Sequence, residues 1–140
     1  MSVFFDASVI VALFTDDYFS DRAEEFLRVS KPTVIIGDFA AAEFSSVVAR
    51  RVRTKEITPR QARDAFANFD AWTTRAAQRV ETLATDVTVA DAWIRKLDLN
   101  LRAPDAINIA IAQRVNAQLA TFDAQMLMSA RKLGLEIAKA

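Results

Sequence analysis

Four acids stand where carboxylates could do chemistry: Asp6, Glu43, Asp105 and Asp123. Asp6 ends the apolar run Val3-Phe4-Phe5, and Asp123 follows a second run, Gln118-Leu119-Ala120-Thr121-Phe122. Asp105 stands in the first turn opened by Ala103-Pro104, and Glu43 lies one turn into the segment after Thr33-Val34-Ile35-Ile36 and Gly37. Asp6, Asp105 and Asp123 also have a plain reading, because an acid near a helix N-terminus caps it and complements its dipole. Glu43 is harder to explain that way, since Phe39, Ala40, Ser46 and Val47 share its helical face and an unpaired carboxylate among such residues is costly. A bound cation, or Arg50 or Arg51 folding back, would compensate, and the cation is the favoured reading. Several carboxylates in one pocket repel, and magnesium or manganese resolves that conflict through oxygen ligands. The chemistry implied is phosphodiester hydrolysis. Ser8 and Thr121, each two residues from an acid, could orient carboxylates or contact phosphate, or make only local turn bonds.

The composition narrows the choice. The chain has no histidine and no cysteine, so thiolate nucleophiles, serine–histidine triads and soft-metal sites drop out. Eighteen acidic residues balance eighteen basic ones, which leaves no global pull toward nucleic acid, although acids gathered in one pocket would leave the remaining surface basic. Hydrophobic residues make up 52% and charged residues 26% of 140, the signature of one globular domain, residues 1–140. No apolar run is long enough to span a membrane and no secretory signal is evident, so a cytoplasmic setting is expected.

The elements that must position the acids follow from period and punctuation. Val3-Phe4-Phe5, Thr33–Ile36, Val80-Glu81-Thr82-Leu83 and Gln118–Phe122 read as short buried strands, with Leu135-Glu136-Ile137 as a further edge strand. Helices are expected over Ala7 to Phe14, from Ser20 to about Val29, after Asp38 through Val52, from Thr58-Pro59 past Trp72, from Thr85 or Asp86 to Leu97, from Ala103, and from Asp123 to the stop at Gly134. Strands separated by helices predict a three-layer α/β/α domain with a central parallel sheet of four or five short strands. Such a sheet places Asp6, Glu43 and Asp123 on one edge, while Asp105 needs tertiary help to join them. Phe66, Phe69 and Trp72 form a helical stripe that reads first as core, with part of it a groove for a partner in which a charge at Phe69 would separate partners without unfolding the chain. The run Arg50, Arg51, Arg53 and Lys55 favours a helix C-terminus, with RNA backbone contact as the alternative.

Taken together, Phe5-Asp6-Ala7-Ser8, Glu43 in its alanine-rich helix, Leu101-Arg102-Ala103-Pro104-Asp105-Ala106-Ile107, and Thr121-Phe122-Asp123 with Leu133-Gly134-Leu135 beyond resemble the PIN-domain nucleases, and the compact length resembles their VapC-type toxin subgroup. The resemblance implies a metal-dependent endoribonuclease using Mg2+ or Mn2+, with Asp6, Glu43, Asp105 and Asp123 as the acidic quartet that is both catalytic and metal-binding. It implies supporting or substrate-contacting roles for Ser8, Thr121, Arg102 and Asn108, the last standing where such toxins often carry histidine. It also implies an RNA substrate, a small antitoxin protein as partner, and a homodimer or toxin–antitoxin hetero-oligomer. A catalytically silent binding module and a nuclease acting on DNA are the competing readings. Phosphatases of the haloacid dehalogenase type fit less well, because Ser8 stands where their second acid belongs.

Overall fold

The computed structural model describes all 140 residues. In chain order the elements are β1 (Ser2–Phe5), α1 (Ala7–Phe14), α2 (Ser20–Ser30), β2 (Thr33–Gly37), α3 (Asp38–Arg53), α4 (Pro59–Ala76), β3 (Ala77–Val80), α5 (Ala84–Arg95), α6 (Ala103–Arg114), β4 (Gln118–Ala120) and α7 (Ala124–Lys132). All strand pairs are parallel, in the order β3-β2-β1-β4. The expected three-layer α/β/α architecture is the one observed, with four strands. No helix is long and apolar enough to cross a membrane.

The first strand lies inside the sheet because it is apolar on both faces. Val3, Phe4 and Phe5 are fully buried, and β1 is flanked by β2 and β4. Gly37 ends β2 with no side chain because a Cβ there would meet the Phe4 ring at 3.1 Å. The connections from β1 to β2 and from β2 to β3 step in one direction across the sheet, and the connection from β3 to β4 returns past β2 and β1. The sense of winding therefore reverses between β1 and β4, and a doubly wound sheet opens its ligand crevice at that point, beyond the strand carboxyl ends. Asp6 and Asp123 both lie there.

Helix ends follow the local chemistry. Thr58 accepts the Gln61 N–H at 3.1 Å while the Gln61 side chain accepts the Thr58 N–H at 2.8 Å, the reciprocal capping expected of Thr-Pro-Arg-Gln. Gly134, at φ 82°, takes the left-handed turn after α7. Asp38 does not cap α3. It occupies the first turn and accepts both the backbone N–H and the hydroxyl of Thr82.

That contact explains a displaced strand. The third strand is Ala77–Val80 rather than Val80–Leu83, pairing Val34 with Ala77 through Gly37 with Val80. Thr82 and Leu83 are spent elsewhere, on the Asp38 and Asp86 carboxylates, so they cannot continue the ladder. As an edge strand it tolerates exposed Gln78 and Arg79, which hid it from a search for apolar runs. The fifth strand shrinks to a single parallel bridge between Leu119 and Ile137.

Phe69 is only 4% exposed and packs against Phe14 and Phe44, with ring centroids 5.4 and 4.9 Å away; Trp72 and Phe66 join the same cluster. The stripe is core. A charge at Phe69 would unfold the chain rather than separate partners, because it would be buried without a counter-charge.

Candidate active site

Asp6 leaves β1 with its backbone N–H still bonded to the Ala120 carbonyl at 3.2 Å, and its side chain turns into the crevice at 5% exposure. Three donors hold the carboxylate. The Ser8 hydroxyl donates to Oδ1 at 2.6 Å, the Thr121 hydroxyl to Oδ2 at 2.5 Å, and the Val9 N–H to Oδ1 at 3.2 Å. The last of these is an N-cap bond, so capping and pocket placement belong to the same residue.

The two hydroxyls are themselves fixed from the other strand. Ser8 Oγ accepts the Phe122 N–H at 2.9 Å, and Thr121 Oγ1 accepts the Asp123 N–H at 3.0 Å. These bonds also explain why β4 stops at Ala120 and not at Phe122: the next residues serve the pocket instead of the ladder. Asp123 caps α7 by accepting the Gln125 and Met126 N–H groups at 2.9 and 3.1 Å through Oδ1. Ser8 thus holds the acid two residues before it, whereas Thr121, two residues from Asp123, reaches across the sheet to Asp6 instead.

Glu43 is half-buried on α3, and its companion is Asn108 of α6, whose Nδ2 donates to Oε1 at 2.6 Å. Neither Arg50 nor Arg51 folds back onto it. Arg51 instead donates to Thr15 at 3.0 Å and to Asp17 at 3.1 Å, pinning the loop between α1 and α2. Asn108 is 2% exposed, and its Oδ1 has no hydrogen-bond partner. Asp105 sits one turn earlier on α6, half-buried, carried in by the segment that Leu101 anchors in the core. Arg102 stands at the N-cap of that helix with no side-chain cap bond, exposed.

The electrostatics tie the four acids into a ring. Burial pushes the Asp6 carboxyl up to about 6 against the pull of its three hydrogen bonds, and Asp123 adds repulsion. Burial lifts Glu43 to about 7, opposed by Asn108 and reinforced by Asp6 and Asp105. Asp105 is raised by burial and by Asp123, with Arg102 working the other way. Glu43 therefore feels two others in the set, and Asp6 and Asp105 each feel Asp123.

No group of three or more of these acids is drawn together closely enough, as the side chains stand, to hold a metal ion within the protein alone. The donor set nevertheless fits a hard divalent cation. Every donor facing the crevice is oxygen, and the Asn108 carbonyl adds a buried acceptor without a partner. Magnesium characteristically keeps several waters and takes only one or two carboxylates directly, so a closed cage is not required.

Reading the sequence alone missed two features near this edge. Asp86, 2% exposed, is clasped by Arg114 through contacts of 2.8 and 3.0 Å. Phe19 and Phe122, 103 positions apart in the chain, stack with centroids 4.5 Å apart and planes 4° from parallel. Nothing in local spacing links either pair.

An acid quartet at the crevice of this small parallel sheet defines a known class. A family model described as PIN domain matches residues 3–132, and the chain belongs to the PIN-domain family, among its VapC-like toxins. Ribonuclease VapC46 from Mycobacterium tuberculosis is 30% identical over 140 residues, covering 97% of this chain and 95% of that one. The crystal structure of VapC20 from the same organism, described as a sarcin-ricin loop cleaving toxin, superposes with a TM-score of 0.77 at 19% identity over 99% of both chains. That of VapBC2 from Rickettsia felis, bound to a DNA fragment from its promoter, gives 0.69 at 14% identity over 99% of this chain and 98% of that one. At those identities the two structures speak for the fold.

Proposed function

We propose that the chain, acting as one domain over residues 1–140, is a Mg2+- or Mn2+-dependent endoribonuclease and the toxin of a type II toxin–antitoxin pair. The observation that carries this reading is the ring of mutually repelling acids at the reversal point of the sheet, two of them raised to about 6 and 7. A structural acid is normally stabilised in its charged form, whereas these are poised to exchange protons for a cation.

Asp6, Glu43, Asp105 and Asp123 would hold the cation. Bound there, it supplies Lewis acidity toward a phosphodiester and neutralises charge building on the phosphate oxygens. The protein's own part is positional. Ser8 and Thr121 lock the Asp6 carboxylate from two sides, Asn108 holds Glu43 on α3 against α6, and Asp123 stays fixed by the α7 cap. Arg102, whose charge acts on Asp105, would meet the substrate phosphate. A small protein antitoxin is the expected partner, with the toxin as a homodimer or in a hetero-oligomer, working in the cytoplasm.

The test is cleavage of a mixed pool of structured and single-stranded RNA by antitoxin-free protein, with Mg2+, Mn2+ or chelator, and Asp6→Asn alongside. Metal-dependent cutting that disappears in the variant is the expected result. Folded protein that neither cuts RNA nor is stabilised by Mn2+ would overturn the reading.

A further inference from the structure

Beside Asp123 the crevice continues into an open cleft of about 470 Å3, walled by α2, α7 and the last residues of the chain. Its lining combines two kinds of chemistry. Phe19 and Phe122 form the parallel stack, and the Arg22 guanidinium carbon lies 5.3 and 5.2 Å from the two ring centroids. Arg131 and Lys139 add two exposed cations, so three positive side chains and one acidic side chain, Asp123, line the cleft. At the lip, Tyr18 stands edge-on to Phe19, 4.9 Å away at 88°, with 90% of its surface exposed.

A tyrosine left this bare against an aromatic stack stabilises little by burial. The loop that carries it is nonetheless held in place, by Arg51 on Asp17 and by Ser20, which accepts the Asp17 N–H and donates to the Thr15 carbonyl, both at 3.0 Å. Arg22 is likewise fixed, donating to the Ala140 backbone oxygen at 2.9 Å. Aromatic faces beside a short row of cations are the combination that single-stranded nucleic acid uses: bases stack on rings and phosphates meet the charges. The volume is within the range of small-ligand sites.

We propose that this cleft is a subsite for single-stranded RNA, seating the nucleotide next to the phosphate that the acid ring addresses. Its base packs against the Phe19–Phe122 stack with Tyr18 at the rim, and its phosphates meet Arg22, Arg131 and Lys139. The assignment rests on the nuclease reading for its place in a reaction, but RNA binding can be measured without any cleavage. It would make the protein select unpaired RNA on one side of the cut, because a base held in a duplex cannot reach the rings.

The experiment uses full-length Asp6→Asn protein and a fluorescein-labelled, mixed-sequence RNA dodecamer, followed by anisotropy across a salt series. Arg131→Glu and Lys139→Glu, added separately to that background, should each weaken binding about 10-fold and flatten the salt dependence, as loss of a phosphate contact does. Tyr18→Ala, which removes no buried group, should weaken it about 5-fold with the salt slope unchanged. Arg95→Glu on α5 makes the same charge change outside the cleft and should leave affinity unaltered. A duplex of the same RNA should bind at least 10-fold more weakly. Equal losses from Arg95→Glu and Arg131→Glu would overturn the subsite, since general charge would then account for both. So would wild-type affinity in the Arg131, Lys139 and Tyr18 variants, even if the parent protein cuts RNA with Mn2+. Cleft-dependent binding by a parent protein that does not cut would uphold the subsite and defeat the nuclease reading alone.

Discussion

Asp6 and Asp86 are both buried aspartates at the N-terminal ends of helices, one capping α1 and the other in the first turn of α5, and the protein treats them in opposite ways. Asp86 is given an arginine. Burial pushes its proton affinity up, but Arg114 and the Leu83 N–H more than offset this and leave the carboxyl below its usual range. Asp6 is given only neutral donors, which do not match the burial, so it stays high. An acid whose task is to staple α5 to α6 is best kept charged by a fixed cation. An acid left with hydroxyls and no arginine has capacity to spare for a cation that comes and goes. The contrast between an acid paired with arginine and one left with neutral donors bears directly on the proposed site, and four measurements would break or sharpen it.

The largest expected effect is on activity. Asp6→Asn should reduce metal-dependent cleavage by about 1,000-fold, while its metal-free melting temperature at pH 8 stays at or above the parent's, because a desolvated charge has been removed. Loss of stability comparable to loss of activity would place Asp6 with Asp86 as a structural acid.

Asp86→Ala should show the reverse pattern. Removing one partner of a buried pair leaves the other uncompensated, and with Arg114 part-exposed the cost is about 2–3 kcal/mol, read as a drop of several degrees in melting temperature. Cleavage per folded molecule should be unchanged.

The two sites also give opposite slopes of stability against pH. Asp6 rises from 3.8 to about 6 on folding and Glu43 from 4.5 to about 7. The folded state therefore holds protons that the unfolded chain releases, and this contribution, complete below about pH 4, is lost as pH climbs through 6 and 7. For buried Asp6 it amounts to about 3 kcal/mol; half-exposed Glu43 adds less than its shift suggests, owing to solvent screening. Asp86 works the other way, its contribution present above pH 4 and lost as acid reaches its lowered value. Metal-free melts from pH 4 to 8 should fall in the parent and flatten in Asp6→Asn. Saturating Mn2+ should raise the melting temperature more at pH 8 than at pH 5.

The smallest effect concerns Asn108. Asn108→Ala removes the one hydrogen bond that holds Glu43, and the Mn2+ concentration for half-maximal cleavage should rise about 10-fold. An unchanged midpoint would show that Glu43 needs no such support.

Much of this comparison was legible in the residues themselves. Asp6 at the end of an apolar run and Glu43 amid alanines and phenylalanines announced a pocket, because each breaks a local pattern in a place where charge is expensive. The Thr58 capping box and Gly134 marked helix ends through chemistry confined to a few neighbouring residues. Partnerships fixed by the fold stayed hidden: Asn108 on Glu43, Arg114 on Asp86 and Phe122 on Phe19 join positions 65, 28 and 103 apart in the chain. The third strand was misplaced for a related reason, since Thr82 turns away to Asp38, a residue 44 positions earlier. The Phe66–Trp72 stripe shows the limit from the other side, as a run of rings has the same spacing whether it faces a partner or its own core.

The order of the strands has a consequence for how the molecule comes into being. Asp6 belongs to the first strand made, yet the hydroxyl of Thr121 that holds it lies 115 residues later, and β4 inserts beside β1 after every other strand exists. Contacts of such long separation close late in folding. On a translating ribosome, a chain that has already made Asp6, Glu43 and Asp105 still lacks Asp123 and one wall of the crevice. The crevice is complete only once β4 has docked beside β1, so a partly folded chain carries its acids without the wall that holds them.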